Sequence, residues 1–161
     1  MTDYKRFQEV LRSTGHYETP RENRTASLAP FRAIHSVGCA STIVGIALRC
    51  GWRQLFGKFG YDAWAEICMS SINFTESVGG TAIFEGFEQR AAYQGPVVYV
   101  SNHMSTLETM IFPTALLSFG KIAIILKKSL LDLPVAGGAL RALDSIPVSR
   151  TNAREDLVTV L

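Results

Sequence analysis

The alternation of apolar and polar positions divides the chain into a polar opening, an uncharged helical middle and an alternating back half. Residues 1–29 are polar, rich in Arg, Glu, Thr and Ser. Within them Tyr4 to Leu11 predicts a short helix, and Gly15 to Arg24, with Pro20, predicts a loop or mobile tail. Arg32 and Arg49 then bracket an uncharged stretch, residues 33–48. As a helix it would be about 24 Å long against a bilayer core of about 30 Å, which is short for a span. Trp52, Phe56, Phe59, Tyr61 and Trp64 follow, interleaved with Arg53 and Lys58, a mixture that suits a lipid headgroup region. Two readings stay open here: a helical pair lying on or dipping into a membrane, or an ordinary helix buried against the domain.

From Ile72 to Gly80 the sequence predicts a turn-rich connection. Thr81 to Glu88 predicts a strand that loosens at Gly86, and Gln94-Gly95-Pro96 a turn. Val97-Val98-Tyr99-Val100 is a β-branched and aromatic run expected as a buried strand, stopping at Asn102-His103. A helix follows from Ser105 to Leu117, with a kink expected at Pro113 and a stop at Gly120. Ile122 to Leu126 reads as a buried parallel strand ended by Lys127-Lys128. Leu130 to Leu143 reads as helix after Pro134, with Gly137-Gly138 permitting close backbone packing. Ser145 to Arg150 reads as a brief edge or irregular strand because of Pro147, and Thr151 to Leu161 as a helix. Strand and helix alternate in this order, so the fold class expected is α/β with right-handed crossovers.

Composition narrows the field. The chain has 161 residues, 47% hydrophobic and 19% charged, enough for one domain with a core. A formal net charge of +2 and no aromatic-basic stacking pattern argue against nucleic acid. Cys39, Cys50 and Cys68 are far apart and form no Cys-x-x-Cys pair, so no metal site is expected and the thiols should be reduced, as at a cytoplasmic face. The charged N-terminus is not that of a secretory signal. No chemistry is assigned to His16.

Chemistry concentrates at Asn102-His103-Met104-Ser105-Thr106-Leu107-Glu108. Ser105-x-x-Glu108 fits a capping box, in which a hydroxyl caps the helix and a carboxylate reaches back. On one continuous helix His103 and Glu108 would diverge by roughly 140°. They can meet if His103 precedes the helix and Glu108 folds back from its first turn. A carboxylate on one ring nitrogen would fix the tautomer and leave the other nitrogen as a base. The alternative is a structural histidine beside an ordinary cap.

The same residues resemble the first signature block of the glycerolipid acyltransferases, the lysophosphatidic acid acyltransferase family, whose pattern is Asn-His-x-Ser-x-x-Asp. Here Glu108 replaces the usual Asp, as in the related lipid A acyltransferases. Thr81 to Glu88 resembles the family's Gly-x-Glu strand. Lys127 to Gly137 resembles its Lys-Lys-Glu-Leu-x-x-Ile-Pro-x-x-Gly segment, and Ile146 to Arg150 its second block, whose Arg helps hold the acceptor's phosphate. The resemblance covers roughly residues 80–150. The third block, aromatic-Pro-Glu-Gly-Thr-Arg, is absent, so the expectation is either the front part of a longer protein or a chain lacking part of its phosphate site, and activity of these residues by themselves is not implied.

What the resemblance implies is specific. The fold would be a glycerol-3-phosphate acyltransferase-like sheet flanked by helices, preceded by an N-terminal helical membrane-associating element. The divisions expected are 1–29 (polar segment), 30–75 (membrane-associating helices) and 76–161 (front part of the α/β domain). The reaction would move a fatty acyl group from a thioester, on coenzyme A or acyl carrier protein, to a hydroxyl of a lysophospholipid on the cytoplasmic face of a membrane. His103 would be the base and Glu108 its orienter, with backbone N–H groups near Ser105 receiving the oxyanion. No acyl-enzyme, metal or cofactor is required. Arg150, and Lys127 or Lys128 beside it, would bind the acceptor's phosphate, since Arg offers a planar fork to its oxygens. The alternatives are a surface ion pair of Arg150 with Asp144 and a solvated strand end at the lysines. At the level of function, the rivals are another acceptor, lipid A-type or a larger lysophospholipid, and a non-catalytic membrane-associated fragment.

Overall fold

The computed structural model describes residues 2–24, 32–93 and 95–161. Helix α1 (Tyr4–Thr14) starts where the Asp3 carboxylate accepts the Arg6 amide at 2.9 Å, and ends at Gly15, whose φ of 69° is free for a residue without Cβ. Tyr4, Phe7 and Leu11 recur at helical spacing and are buried. Strand β1 (Tyr17–Glu18) then pairs antiparallel with β2 (Ile83–Phe84), with Tyr17 opposite Phe84. Thr19 extends the ladder: its amide donates to the Ala82 carbonyl at 3.0 Å, and its hydroxyl accepts the Ala82 amide at 2.8 Å.

The expected loop or tail over Gly15–Arg24 is therefore corrected. Tyr17 and Thr19 are buried, and the segment is fixed by partners from far along the chain. Phe7, Tyr17 and Phe84 meet edge-to-face, with Phe7 centroids 4.7 Å and 5.3 Å from the other two rings. Beneath them the buried Glu76 carboxylate accepts the Tyr17 hydroxyl at 2.6 Å and the Asn23 amide at 3.0 Å. Burial, then this bond, raises the Tyr17 pKa, because both favour the protonated phenol. The remainder of the expected polar segment (25–29), the start of the expected membrane element (30–31) and Gln94 of the expected turn lie outside the described residues.

Helices α2 (Arg32–Leu55) and α3 (Tyr61–Ser77) form the antiparallel pair at the centre of the molecule. Gly38 allows the close approach, since a Cβ there would stand 2.6 Å from the Phe74 ring. Arg49 donates to the Ser70 hydroxyl, and Arg53 pairs with Glu66 across the same seam. Among the described residues no helix is long and apolar enough to cross a membrane. The aromatic run divides: Trp64 is buried, while Trp52 and Phe56 stand exposed with ring centroids 4.9 Å apart. Ile72 to Ser77 is helix rather than the turn-rich connection expected. Ile72 and Glu76 both face the core, and that burial carries α3 on to Val78.

The back half mixes short elements: α4 (Glu88–Ala92), α5 (Thr106–Leu116), β3 (Ile125–Lys127), α6 (Ala136–Arg141), β4 (Ile146–Val148) and α7 (Ala153–Val160). Strands β3 and β4 are parallel, Ile125 opposite Ile146 and Lys127 opposite Val148, with α6 in the crossover. Helix α6 packs on α2 and on the turn Lys128–Asp132, and α5 packs chiefly on α3. Helix α5 runs on through Pro113, and Gly120, at φ 136°, ends the turn that follows. The class is thus mixed α/β, helices with two small sheets.

Two expected buried strands are corrected. Val97–Val100 has no strand partner among the described residues, and Val98 and Val100 are about nine-tenths exposed. A strand needs a neighbour to take its amides, and the only described parallel pair is β3–β4. In β3 itself Leu126 is buried while Ile125 faces solvent, because only one face of the pair is covered.

Candidate active site

Ser105 has the extended backbone of an N-cap, and its hydroxyl accepts the Leu107 amide at 3.2 Å. Glu108 folds back from the first turn of α5 as the capping box predicts. Its Oε2 accepts the Ser105 amide at 2.7 Å and the Met104 amide at 3.1 Å. The same oxygen lies 2.9 Å from His103 Nδ1. A short polar cap thus brings together a base and an acid five residues apart.

The electrostatics follow from those contacts. The Ser105 amide, then the His103 ring, hold the Glu108 carboxyl below the usual glutamate range, since each favours the charged form. With Nδ1–H donating to that carboxylate, Nε2 is the basic nitrogen, and it has no protein partner among the described residues. The imidazole is about two-thirds exposed, so an incoming hydroxyl can reach it. The Met104, Ser105 and Leu107 amides are already engaged, so the oxyanion donors expected near Ser105 are not free at these three positions.

Residues 95–103 are held from the side by Arg90, which the sequence reading did not single out. Its Nε donates to the Tyr99 hydroxyl at 2.6 Å and its terminal nitrogen to the Phe119 carbonyl at 3.0 Å. The guanidinium also lies over the Phe119 ring, 5.4 Å from its centroid, and Phe87 stacks on that ring. Around His103 the surface is apolar and open: Val98, Val100, Met104 and Leu107 are exposed. Two shallow depressions on the α1 side, about 680 and 350 Å³, do not include it.

The cationic residues occupy the other part of the back half. Lys127 ends β3, Lys128 opens the turn after it, and Arg150 follows β4; all three are exposed. They gather at the carboxyl end of the parallel pair, where open α/β sheets bind ligands. Asp144 accepts the Tyr61 hydroxyl at 2.8 Å, and no ion pair joins it to Arg150 among the described residues. No described hydrogen bond or ion pair links the three cations to His103 or Glu108. Asp156, also not singled out from sequence, turns back from α7. Its carboxylate accepts the Ser149 amide at 2.6 Å and the Arg150 amide at 2.8 Å. Its only signal was an acid in the first turn of a helix capped by Asn152.

The lowered Glu108 pKa has a pH signature. A carboxyl whose folded pKa is depressed contributes stability above its unfolded value, about 4.3 for Glu. That contribution is lost as pH falls through the lower folded value. Wild type is therefore expected to exceed Glu108→Gln in denaturant midpoint at pH 7, with the gap closing in strong acid. An equal gap at both pH values would mean that the carboxylate charge is not what holds the cap.

A family model described as Acyltransferase matches residues 83–160. No curated protein and no solved structure matches the chain. The matched stretch contains the His103–Glu108 pair, the Lys127-Lys128 strand end and Arg150. The match to the acyltransferase family, that of the glycerolipid acyltransferases, spans just under half of the chain and is consistent with a partial member of it.

Proposed function

We propose that this acyltransferase-family chain transfers a fatty acyl group from an acyl thioester, on coenzyme A or acyl carrier protein, to a hydroxyl of a lysophospholipid such as lysophosphatidic acid. The observation that carries the reading is the 2.9 Å contact between His103 Nδ1 and Glu108 inside the matched stretch. Nε2 takes the proton of the acceptor hydroxyl as its oxygen attacks the thioester carbonyl. Glu108 holds the ring and stabilises the imidazolium. The tetrahedral intermediate collapses with loss of the thiolate, which is protonated as it leaves. Ser105 is spent on the cap, so no acyl-enzyme is invoked.

The acceptor's phosphate binds Arg150, with Lys127 or Lys128 as a further point charge. The outer face of α2 supports a membrane-associated setting, which the proposal places on the cytoplasmic face. Val37, Val44, Leu48, Trp52 and Leu55 are exposed along it, with Phe56 beside them and Lys58 nearby. Such a face rests in the headgroup layer and admits an amphiphilic acceptor to His103 without a span.

The test is an acyl-coenzyme A assay with lysophosphatidic acid presented in anionic phospholipid vesicles. Arg150→Ala is expected to raise the acceptor KM about tenfold, the scale of one charge-assisted contact, with donor KM unchanged. The chain should sediment with the vesicles. An unchanged acceptor KM removes Arg150 from the site, and faster transfer to a lipid A-type acceptor moves the reading to that substrate.

A further inference from the structure

Arg150 is held in an unusual backbone state. Its φ is 60°, a left-handed conformation that a residue with a Cβ rarely adopts. Arg150 lies between two knots of local hydrogen bonds. On one side the Ser149 hydroxyl accepts the Thr151 amide at 3.1 Å and the Asn152 amide at 3.3 Å. On the other, Asp156 spans the turn, one carboxylate oxygen on the Ser149 amide and the other on the Arg150 amide. These amide bonds, the Ser149 one foremost, lower the Asp156 pKa, so the acid is ionised when it grips the turn. The guanidinium takes no part and has no described protein partner.

We propose that Asp156 is the positioning residue for Arg150: by clamping two consecutive amides it fixes the left-handed turn and aims the guanidinium at the acceptor's phosphate. The inference rests on the reading of Arg150 as phosphate-binding. The acid spends both oxygens on backbone donors, so its charge meets main-chain dipoles rather than neutralising the arginine beside it. A bidentate fork gains from being held in one orientation before the anion arrives. Without the clamp, Arg150 can relax to negative φ, which swings its side chain to another bearing.

The test uses the full chain and two short-chain lipids below their micelle concentration. One is hexanoyl lysophosphatidic acid and the other is the matching neutral monohexanoylglycerol. Affinities are read by isothermal titration. Arg150→Ala is expected to weaken the phosphate-bearing lipid about tenfold and to leave the neutral lipid unchanged. Asp156→Asn keeps the size but replaces one acceptor with a donor facing an amide. It is expected to weaken the same lipid about three- to tenfold, again sparing the neutral one, and to add nothing in the Arg150→Ala background. Asp156→Glu retains two acceptors on a longer arm, so its affinity should fall between wild type and Asp156→Asn; it replaces the latter if that variant does not fold.

The outcomes separate the two claims. Equal binding of the phosphate lipid by wild type and Arg150→Ala overturns the arginine reading, and the positioning role with it. A loss in Arg150→Ala with none in the Asp156 variants overturns the positioning role alone. So does an Asp156 effect that persists without Arg150, or one that weakens the neutral lipid equally.

Discussion

Replacing His103 with alanine is expected to lower acyl transfer about 100- to 10,000-fold, the range that general-base catalysis contributes. Stability should be nearly unaffected. The ring is about two-thirds exposed and makes one described hydrogen bond, to Glu108; exposed substitutions usually stay within about 0.5 kcal/mol. The cap survives the change, because Glu108 keeps the Met104 and Ser105 amides. Initial rates at saturating donor and acceptor, set beside the melting temperature, check both halves. A variant that folds and still turns over at the wild-type rate would falsify the assignment of His103 as base. Glu108→Gln should cost less activity, since an amide oxygen can still accept from Nδ1 but cannot stabilise an imidazolium as a carboxylate does.

The largest effect on stability is expected at Phe7, far from that histidine. Phe7 is fully buried and touches the rings of Tyr17 and Phe84, so it closes the corner where α1, β1 and β2 meet. Phe7→Ala should cost about 3–5 kcal/mol, the transfer loss plus the cavity left behind. For a chain of this size that is about 10 °C or more in melting temperature. Phe7→Leu should lose much less, because most of the volume is kept. Equilibrium unfolding in urea measures both. A loss under about 1 kcal/mol for the alanine variant would mean that the corner repacks.

The fold was legible where its causes are local. Ser105 and Glu108 are three residues apart and complete each other's hydrogen bonds, so the start of α5 could be read directly. The helices expected over Tyr4 to Leu11 and Thr151 to Leu161 overlap α1 and α7, although their caps at Gly15 and Asn152 were not singled out. The parallel pairing of β3 with β4 followed from two short apolar runs around a helical pattern. Illegible features depend on partners distant in sequence. Tyr17 and Thr19 sit in a polar stretch, and it is packing on Phe7, β2 and Glu76 that buries them. Val97–Val100 has a strand's composition, but composition cannot supply the neighbour whose amides a strand must meet.

At the site, the pairing of His103 with Glu108 was accessible from spacing, because the cap dictates how the chain doubles back. Arg90 and Asp156 were not, for a different reason. Each acts on groups outside its own element, Tyr99 and Phe119 in one case and the Ser149 and Arg150 amides in the other. An acid that binds amides leaves no charge partner to notice in the sequence.

The ladder between Tyr17–Glu18 and Ile83–Phe84 crosses the edge of the homologous stretch, which begins at residue 83. A polypeptide excised at that edge would keep Phe84 but lose both aromatic neighbours, and would offer water the bare amides of β2. Residues on both sides of that edge therefore share one core: the opening segment supplies the rings and the strand against which Phe84 of the matched stretch is packed.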